Sequence, residues 1–241
     1  MVINESLVRN RPVSGLLSLW QTSVGKKFVM AISGIILFGY VILHLWGNLR
    51  VFYGPEALNQ WGVFLRVAGD PFFRSQQLLW IVRVILLVAL ILHVTAAYQL
   101  SRRDYASRPA GYALRKNLES TYASRTMRWG GVIILLFVIY HVLDLTTGTL
   151  HPATYAPFRE GDIYSNVIGD FRVWYVTLIY VAAVIVLGMH LYHGVWSMFQ
   201  TLGLNSSRWD RLWRNVATFF AVVLTLGNIA IPVSILIGIV R

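Results

Sequence analysis

Four histidines stand inside apolar stretches of this 241-residue chain: His44, His93, His141 and His190, separated by 49, 48 and 49 residues. Ionisable side chains in such stretches are costly, and a functional role is the default reading. No obvious sequence repeat underlies the spacing, so it reflects a recurring helix–loop unit that carries one histidine each. Two further histidines differ. His193 lies three residues after His190, and His151 falls in a polar connection where it is expected to be solvated.

Paired imidazoles at depth suit few chemistries. Zinc takes three or four ligands at one level. A proton relay would usually bring carboxylates to similar depth, and Asp144 alone among the acidic residues falls within an expected span. A b-type haem takes two axial nitrogens from opposite directions, best supplied by facing helices of a bundle. The chain has no cysteine, so it supplies no thiolate for an iron–sulfur cluster, a zinc site or a disulfide. Two bis-histidine haems are the economical solution.

The elements that must position these rings follow from composition. The chain is 56% hydrophobic and 13% charged, with a mean hydropathy of +0.60. This predicts an all-α polytopic membrane protein, residues 1–241 forming a single membrane domain. Five apolar stretches reach the length of about 20 residues that a bilayer needs, at about 28–51, 77–100, 127–147, 173–198 and 213–239. The polar first 27 residues lack the pattern of a cleaved leader, so the first helix is expected to be retained. A short amphipathic helix is expected over 56–70, on the outer surface.

The net charge of +11 would suit a nucleic-acid binder, but its distribution argues for membrane topology instead. Arg9, Arg11, Lys26 and Lys27 precede the first span. Arg102, Arg103, Arg108, Arg115, Lys116, Arg125 and Arg128 lie between the second and third, against Asp104 and Glu119. The third-to-fourth connection carries Glu160, Asp162 and Asp170 with Arg159 and Arg172. The positive side is assigned to the cytoplasm, which places the N-terminus inside and the C-terminus outside.

Alternating topology turns spacing into depth. His44 and His141 come about 14–17 residues after the inner ends of their helices, and His93 and His190 about 16–17 after the outer ends of theirs. At about 1.5 Å per residue this separates an outer pair, His44 and His141, from an inner pair, His93 and His190, by roughly 15 Å. Helical spacing puts Ser33 on the face of His44 and Gly130 on that of His141, both near the inner level. Ala97 follows His93, while Gly194 and Ser197 follow His190 on its own face. Small residues there leave room for a macrocycle or permit close helix packing. Gly47, one turn after His44, is given the same role of clearance. His193 is a candidate hydrogen-bond donor to a haem propionate or a quinone, with packing as the alternative. Arg83 and Asp144, at matched depth, suggest an ion pair or contact with the outer haem's propionates.

"SVGKKFVMAISGIILFGYVILHLWGNLRVF", "LILHVTAAYQL", "FVIYHVLDL" and "GMHLYHGVWSMF" together resemble the helices of the single-chain dihaem cytochrome b membrane-anchor subunits of succinate dehydrogenase and fumarate reductase. The resemblance runs from about Ser23 to the last span. In "HLYHGVW" the family's H-x-x-x-G-x-W pattern selects His190 and Gly194. The resemblance implies a cytoplasmic-membrane anchor that docks a flavoprotein subunit and an iron–sulfur subunit on the cytoplasmic face. It also implies two haem b groups, the inner on His93 and His190 and the outer on His44 and His141. A menaquinone site completes the set, and the complex is expected to pass electrons from succinate to quinone or in reverse for fumarate reduction. The whole complex could be oligomeric. One departure is Gly188, where some dihaem fumarate reductases carry a glutamate linked to proton movement.

For the quinone, Lys26, Lys27, Ser33, Tyr98, Gln99 and Ser197 are candidates near the inner haem. Arg50, Arg66, Arg83 and Asp144 are candidates near the outer one. Competing readings are another dihaem transmembrane cytochrome working without a dehydrogenase, and, from a different class, a haem-free transporter or structural anchor with histidines as polar glue.

Overall fold

The computed structural model describes residues 18, 20–107 and 122–241. Arg9, Arg11, Arg108, Arg115, Lys116, Glu119 and the Arg125 side chain lie outside the described residues. The described part is all-α. Its helices are α1 (Ser23–Asn48), α2 (Pro55–Val67), α3 (Gln77–Ala106), α4 (Tyr122–His141), α5 (Ile163–Phe171), α6 (Trp174–Thr201) and α7 (Asp210–Leu236). Five of them, namely α1, α3, α4, α6 and α7, are long and apolar enough to cross a membrane.

Local chemistry sets the boundaries. Thr22 caps α1 by accepting a hydrogen bond from the Gly25 N–H at 2.9 Å. A 3-10 turn over Leu49–Tyr53 ends at Gly54, whose φ of 95° favours glycine. Pro55 then opens α2 at the position where its missing N–H costs nothing. Composition predicts a loop over 148–172, yet α5 forms within it. Asp162 caps α5 through the Ser165 N–H at 3.2 Å. Ile163, Val167, Ile168 and Phe171 then give a one-sided apolar face that joins the core. The many glycines and prolines around this nine-residue helix mask it in the sequence.

Large apolar side chains such as Leu43, Leu87, Leu136 and Leu226 are exposed on the spans, as lipid-facing positions of a membrane protein are. Between helices in lipid there is little hydrophobic driving force, so association rests on close fit and small residues. A Cβ at Gly188 would strike Thr225 of α7, and one at Gly227 would strike Leu45 of α1. The extensive helix contacts are α1 with α3, α4 with α6, and α6 with α7, whereas the α1/α3 pair touches the α4/α6 pair thinly.

The two ends of the bundle are fastened differently. At the end where α1 starts, Arg103 donates to the Gln21 carbonyl at 2.6 Å and to Ser23 Oγ at 3.1 Å. Arg128 of α4 pairs with Asp104 of α3. Trp196 Nε1 and Arg214 Nε both donate to the Asp210 carboxylate, at 3.0 and 2.7 Å. At the opposite end α2, α5 and the adjoining ends of α1, α6 and α7 bury the main apolar core around Leu45, Val51, Leu58, Phe171, Val176 and Ile235. Asn59 of α2 ties this cap together, donating to Asp162 Oδ1 at 3.1 Å and accepting from the Tyr164 N–H at 3.0 Å. The first end is called inner and the second outer below, after the sides that the charge pattern assigns.

Gly188 gives a direct test of the α6–α7 seam. Gly188→Val should destabilise the detergent-solubilised protein by about 1–3 kcal/mol through overpacking against Thr225. Gly39→Ala, where a Cβ would meet nothing within 4 Å, should be neutral or mildly stabilising. Thermal unfolding midpoints of both variants compare the two; equal midpoints would remove the seam as a close-fit contact.

Candidate functional site

The thin boundary between the helix pairs is bridged by rings. His93 of α3 faces His190 of α6 with ring centres 6.2 Å apart and planes at 60°. His44 of α1 faces His141 of α4 at 5.6 Å and 72°. The structure thus brings the four histidines together as an inner pair and an outer pair, each pair drawn from different helix pairs.

The hydrogen bonds behind the rings decide which nitrogen is free. His93 Nδ1 lies 3.1 Å from the Met30 carbonyl of α1. A carbonyl only accepts, so the proton is on Nδ1 and the lone pair on Nε2. Ser33 Oγ lies 3.4 Å from the same nitrogen, but its hydroxyl donates to the Val29 carbonyl at 2.7 Å. In the outer pair, Tyr180 of α6 donates to Asp144 Oδ2 at 2.8 Å. Its oxygen therefore accepts from His141 Nδ1 at 3.2 Å, again leaving Nε2 unprotonated. His44 Nδ1 lies 3.0 Å from the Asn48 side-chain amide, whose two ends can each serve it, the nitrogen as donor and the oxygen as acceptor. His190 Nδ1 is buried without a hydrogen-bond partner.

The ring separations suit two imidazoles on one metal. With metal–imidazole bonds of about 2.0–2.1 Å, and each ring centre about 1.1 Å beyond its nitrogen, two rings on one metal stand about 6.3 Å apart. The inner pair is at that separation and the outer pair is slightly closer. At His93 and His141 the remote nitrogen is held by a protein group, in the manner of metal-binding histidines. Glycines flank the inner rings. A Cβ at Gly34 would lie 3.4 Å from His93 Cε1, and one at Gly131 would lie 4.0 Å from His190 Cε1.

Several expected positions differ by a fraction of a turn. Gly130 packs on Val186 of α6, and its neighbour Gly131 faces His190. Gly47 makes room for the Trp61 ring of α2. Ser33 is buried at the inner pair, beside His93. Nothing lies within 4 Å of a Cβ placed at Gly194, and Ser197 is half-buried one turn further on. His193 meets the Trp196 ring at 6.1 Å. The expected Arg83–Asp144 pair does not form. Arg83 is exposed and stacks on the Trp80 ring at 4.9 Å, whereas Asp144 is fully buried.

Lys27 and Tyr98 are exposed and Gln99 is half-buried. Lys26 folds back to donate to the Trp20 carbonyl at 2.6 Å. Arg50 lies between the Trp46 and Trp61 rings, 4.3 and 4.1 Å from their centres. A mainly apolar cleft of about 400 Å³ opens between α1 and α3, lined by Phe28, Ile32, Ser33, Val88 and Leu92 among others.

Behind the outer pair lies a group that sequence reasoning missed. α4 continues past His141 in a π-helical turn over Val142–Thr146, closed by the Thr147 N–H on the Val142 carbonyl at 3.0 Å. Asp144 on this turn sits beside Asp170 of α5 and His151. The expectation of a solvated His151 is corrected: its side chain is 1% exposed, with Nδ1 3.9 Å from Asp144 Oδ1 and 3.7 Å from Asp170 Oδ1. The connection folds under α5 and carries His151 inward. The sequence signal that could have found it is the recurrence of Asp and His close to the ends of adjoining helices.

Burial, and then the nearby Asp144 charge, push the Asp170 carboxyl up to about 8. Asp162, in the same connection, is held below the usual carboxylate range by hydrogen bonds from Ser165.

No family model, no curated protein and no solved structure matches this chain.

A carboxyl whose pKa rises on folding binds its proton more tightly in the native state. Its contribution to stability is full below about pH 4 and is lost as pH climbs through about 8. With a chelator present, the unfolding midpoint should therefore fall between pH 5.5 and 8.5, and Asp170→Asn should flatten that slope. An Asp170→Asn profile as steep as that of the unsubstituted protein would remove Asp170 as its source.

Proposed function

We propose that the chain is the dihaem cytochrome b membrane-anchor subunit of a succinate:quinone oxidoreductase, passing electrons between soluble dehydrogenase subunits and a membrane quinone such as menaquinone. The observation that carries this reading is the pairing of four histidines at two levels across the bundle, at separations suited to one metal between the rings of each pair. The sequence resemblance of the histidine helices supplies the choice of complex.

In this reading His93 and His190 would hold the inner haem b, and His44 and His141 the outer one. Haem, when bound, supplies one-electron transfer without a change of ligands. The work of the chain is orientation and insulation. The Met30 carbonyl keeps the His93 proton on Nδ1, and Tyr180 does the same for His141, so each ring keeps Nε2 for the metal. Asp144 in turn holds Tyr180, which makes His141 the more electron-rich ligand. Exposed apolar faces on α1, α3, α4 and α6 keep the surroundings lipid-like.

With no cysteine in the chain, iron–sulfur centres belong to a partner. That partner and a flavoprotein would dock on the side assigned to the cytoplasm, where Arg102, Arg103 and Arg128 cluster. Succinate oxidation releases two electrons and two protons, and quinone takes up two of each to give quinol. The apolar α1/α3 cleft beside Ser33 suits a quinone's hydrocarbon tail.

Purification from native membranes in mild detergent tests this reading. A flavoprotein and an iron–sulfur protein should co-purify and the preparation should reduce quinone with succinate; a haem-loaded chain without a dehydrogenase would point to another transmembrane cytochrome. His93→Ala should remove one of two haems from the reduced-minus-oxidised spectrum and leave the other. Tyr180→Phe should instead weaken retention of the outer haem by about 10–100-fold, the usual effect of losing a hydrogen bond behind a metal-bound imidazole. Full haem content in His93→Ala would break the ligand assignment.

A further inference from the structure

We propose that Asp144, His151 and Asp170 form a divalent-cation site at the outer end of the bundle, suited to a first-row ion such as zinc. One ligand atom from each residue lies within 4.8 Å of the other two. The imidazole Nδ1 stands 3.9 and 3.7 Å from the two carboxylate oxygens. A tetrahedral ion with bonds of about 2.0–2.2 Å holds its ligand atoms about 3.4 Å apart, so shifts of a few tenths of an ångström close these two edges. Two carboxylate oxygens with one imidazole form a mixed oxygen and nitrogen donor set, which favours zinc or manganese over calcium or magnesium.

The second observation is the state of these atoms. Asp144 Oδ1, both nitrogens of His151 and both carboxylate oxygens of Asp170 are buried and have no hydrogen-bond partner. The His151 side chain is 1% exposed and both aspartates are fully buried. When both are ionised, two carboxylates in such a place repel each other and lose their hydration, a cost of several kcal/mol per ion in proteins. Among the described residues no lysine or arginine lies within ion-pair distance of either. A doubly charged cation would balance them and use the free lone pairs at the same time.

The surroundings are built to hold the three side chains in place. The π-helical turn carries Asp144, and Tyr180 occupies its Oδ2 while leaving Oδ1 directed at His151. The Phe158 ring packs against the His151 ring at 5.7 Å. Gly169, beside Asp170, lets the connection approach closely, since a Cβ there would lie 3.5 Å from Ala156 and 3.8 Å from His151 Nε2. The site does not depend on the haem reading. If that reading also holds, Tyr180 links the cation to His141 and its occupancy would move the outer haem's potential.

Zinc binding to the full-length, detergent-solubilised chain tests the proposal. After chelation and dialysis, titration with zinc should saturate near one ion per chain at this site and raise the unfolding midpoint at pH 8. His151→Ala and Asp170→Asn should each weaken that binding at least tenfold, while Glu160→Gln, an exposed carboxylate of the same connection, should bind as the unsubstituted chain does. X-ray absorption at the zinc edge covers the case in which the variants fail to fold, because it needs only the unsubstituted protein. One imidazole with oxygen ligands supports the site. Two or more imidazoles would place the zinc at the histidine pairs, and that result, like an absence of saturable binding, would overturn the proposal, as would unchanged affinity in correctly folded variants. Haem content is measured on the same samples, so loss of the haem reading and loss of the cation site are seen separately.

Discussion

An imidazole offers a lone pair to a metal only when its own proton is held on the other nitrogen. Two of the four paired rings in the bundle meet that constraint. The Met30 carbonyl can reach His93 Nδ1 because α1 packs closely along α3. Tyr180 can reach His141 because α4 packs closely along α6. Each close pair of helices orients a ring, and the thin boundary between the pairs is where the rings face one another. Were all four helices packed equally tightly, the rings would have no face to share.

Holding such an arrangement in lipid is a separate problem, because apolar side chains there gain little from leaving lipid for one another. The chain meets it at the ends. Arg103, Arg128 and Asp210 fasten helix termini on one side, and α2 with α5 closes the other side over an apolar core. Between these ends, glycine contacts such as Gly188 on Thr225 set the spacing. A larger side chain at 188 would meet that seam.

What was legible in the sequence is what varies along one dimension. Span positions, alternation of direction and histidine depth follow from hydropathy and residue counts, and the helices and ring pairs agree with them. Rotation about a helix axis was less legible. One residue is about 100° of turn, so the choice of Gly131 over Gly130, or of Trp61 as the neighbour of Gly47, needs the partner helix in view. The π-helical turn after His141 breaks the ordinary periodicity just where Asp144 is placed. Asp144 thereby joins His151 and Asp170, although matched depth pointed to Arg83. α5 and His151 lie in a segment rich in glycine and proline, where composition suggests a loop and tertiary packing makes a buried cap.

Two b-type haems per chain, one on each histidine pair, are what the proposed function requires above all else. The measurement that meets this requirement most directly is the ratio of extracted haem, assayed as its pyridine complex, to protein determined by amino-acid analysis of the same purified sample. Two haems per chain is the predicted result. A folded, helical protein with no haem, or with a ratio that stays at one after haem supplementation, would contradict it.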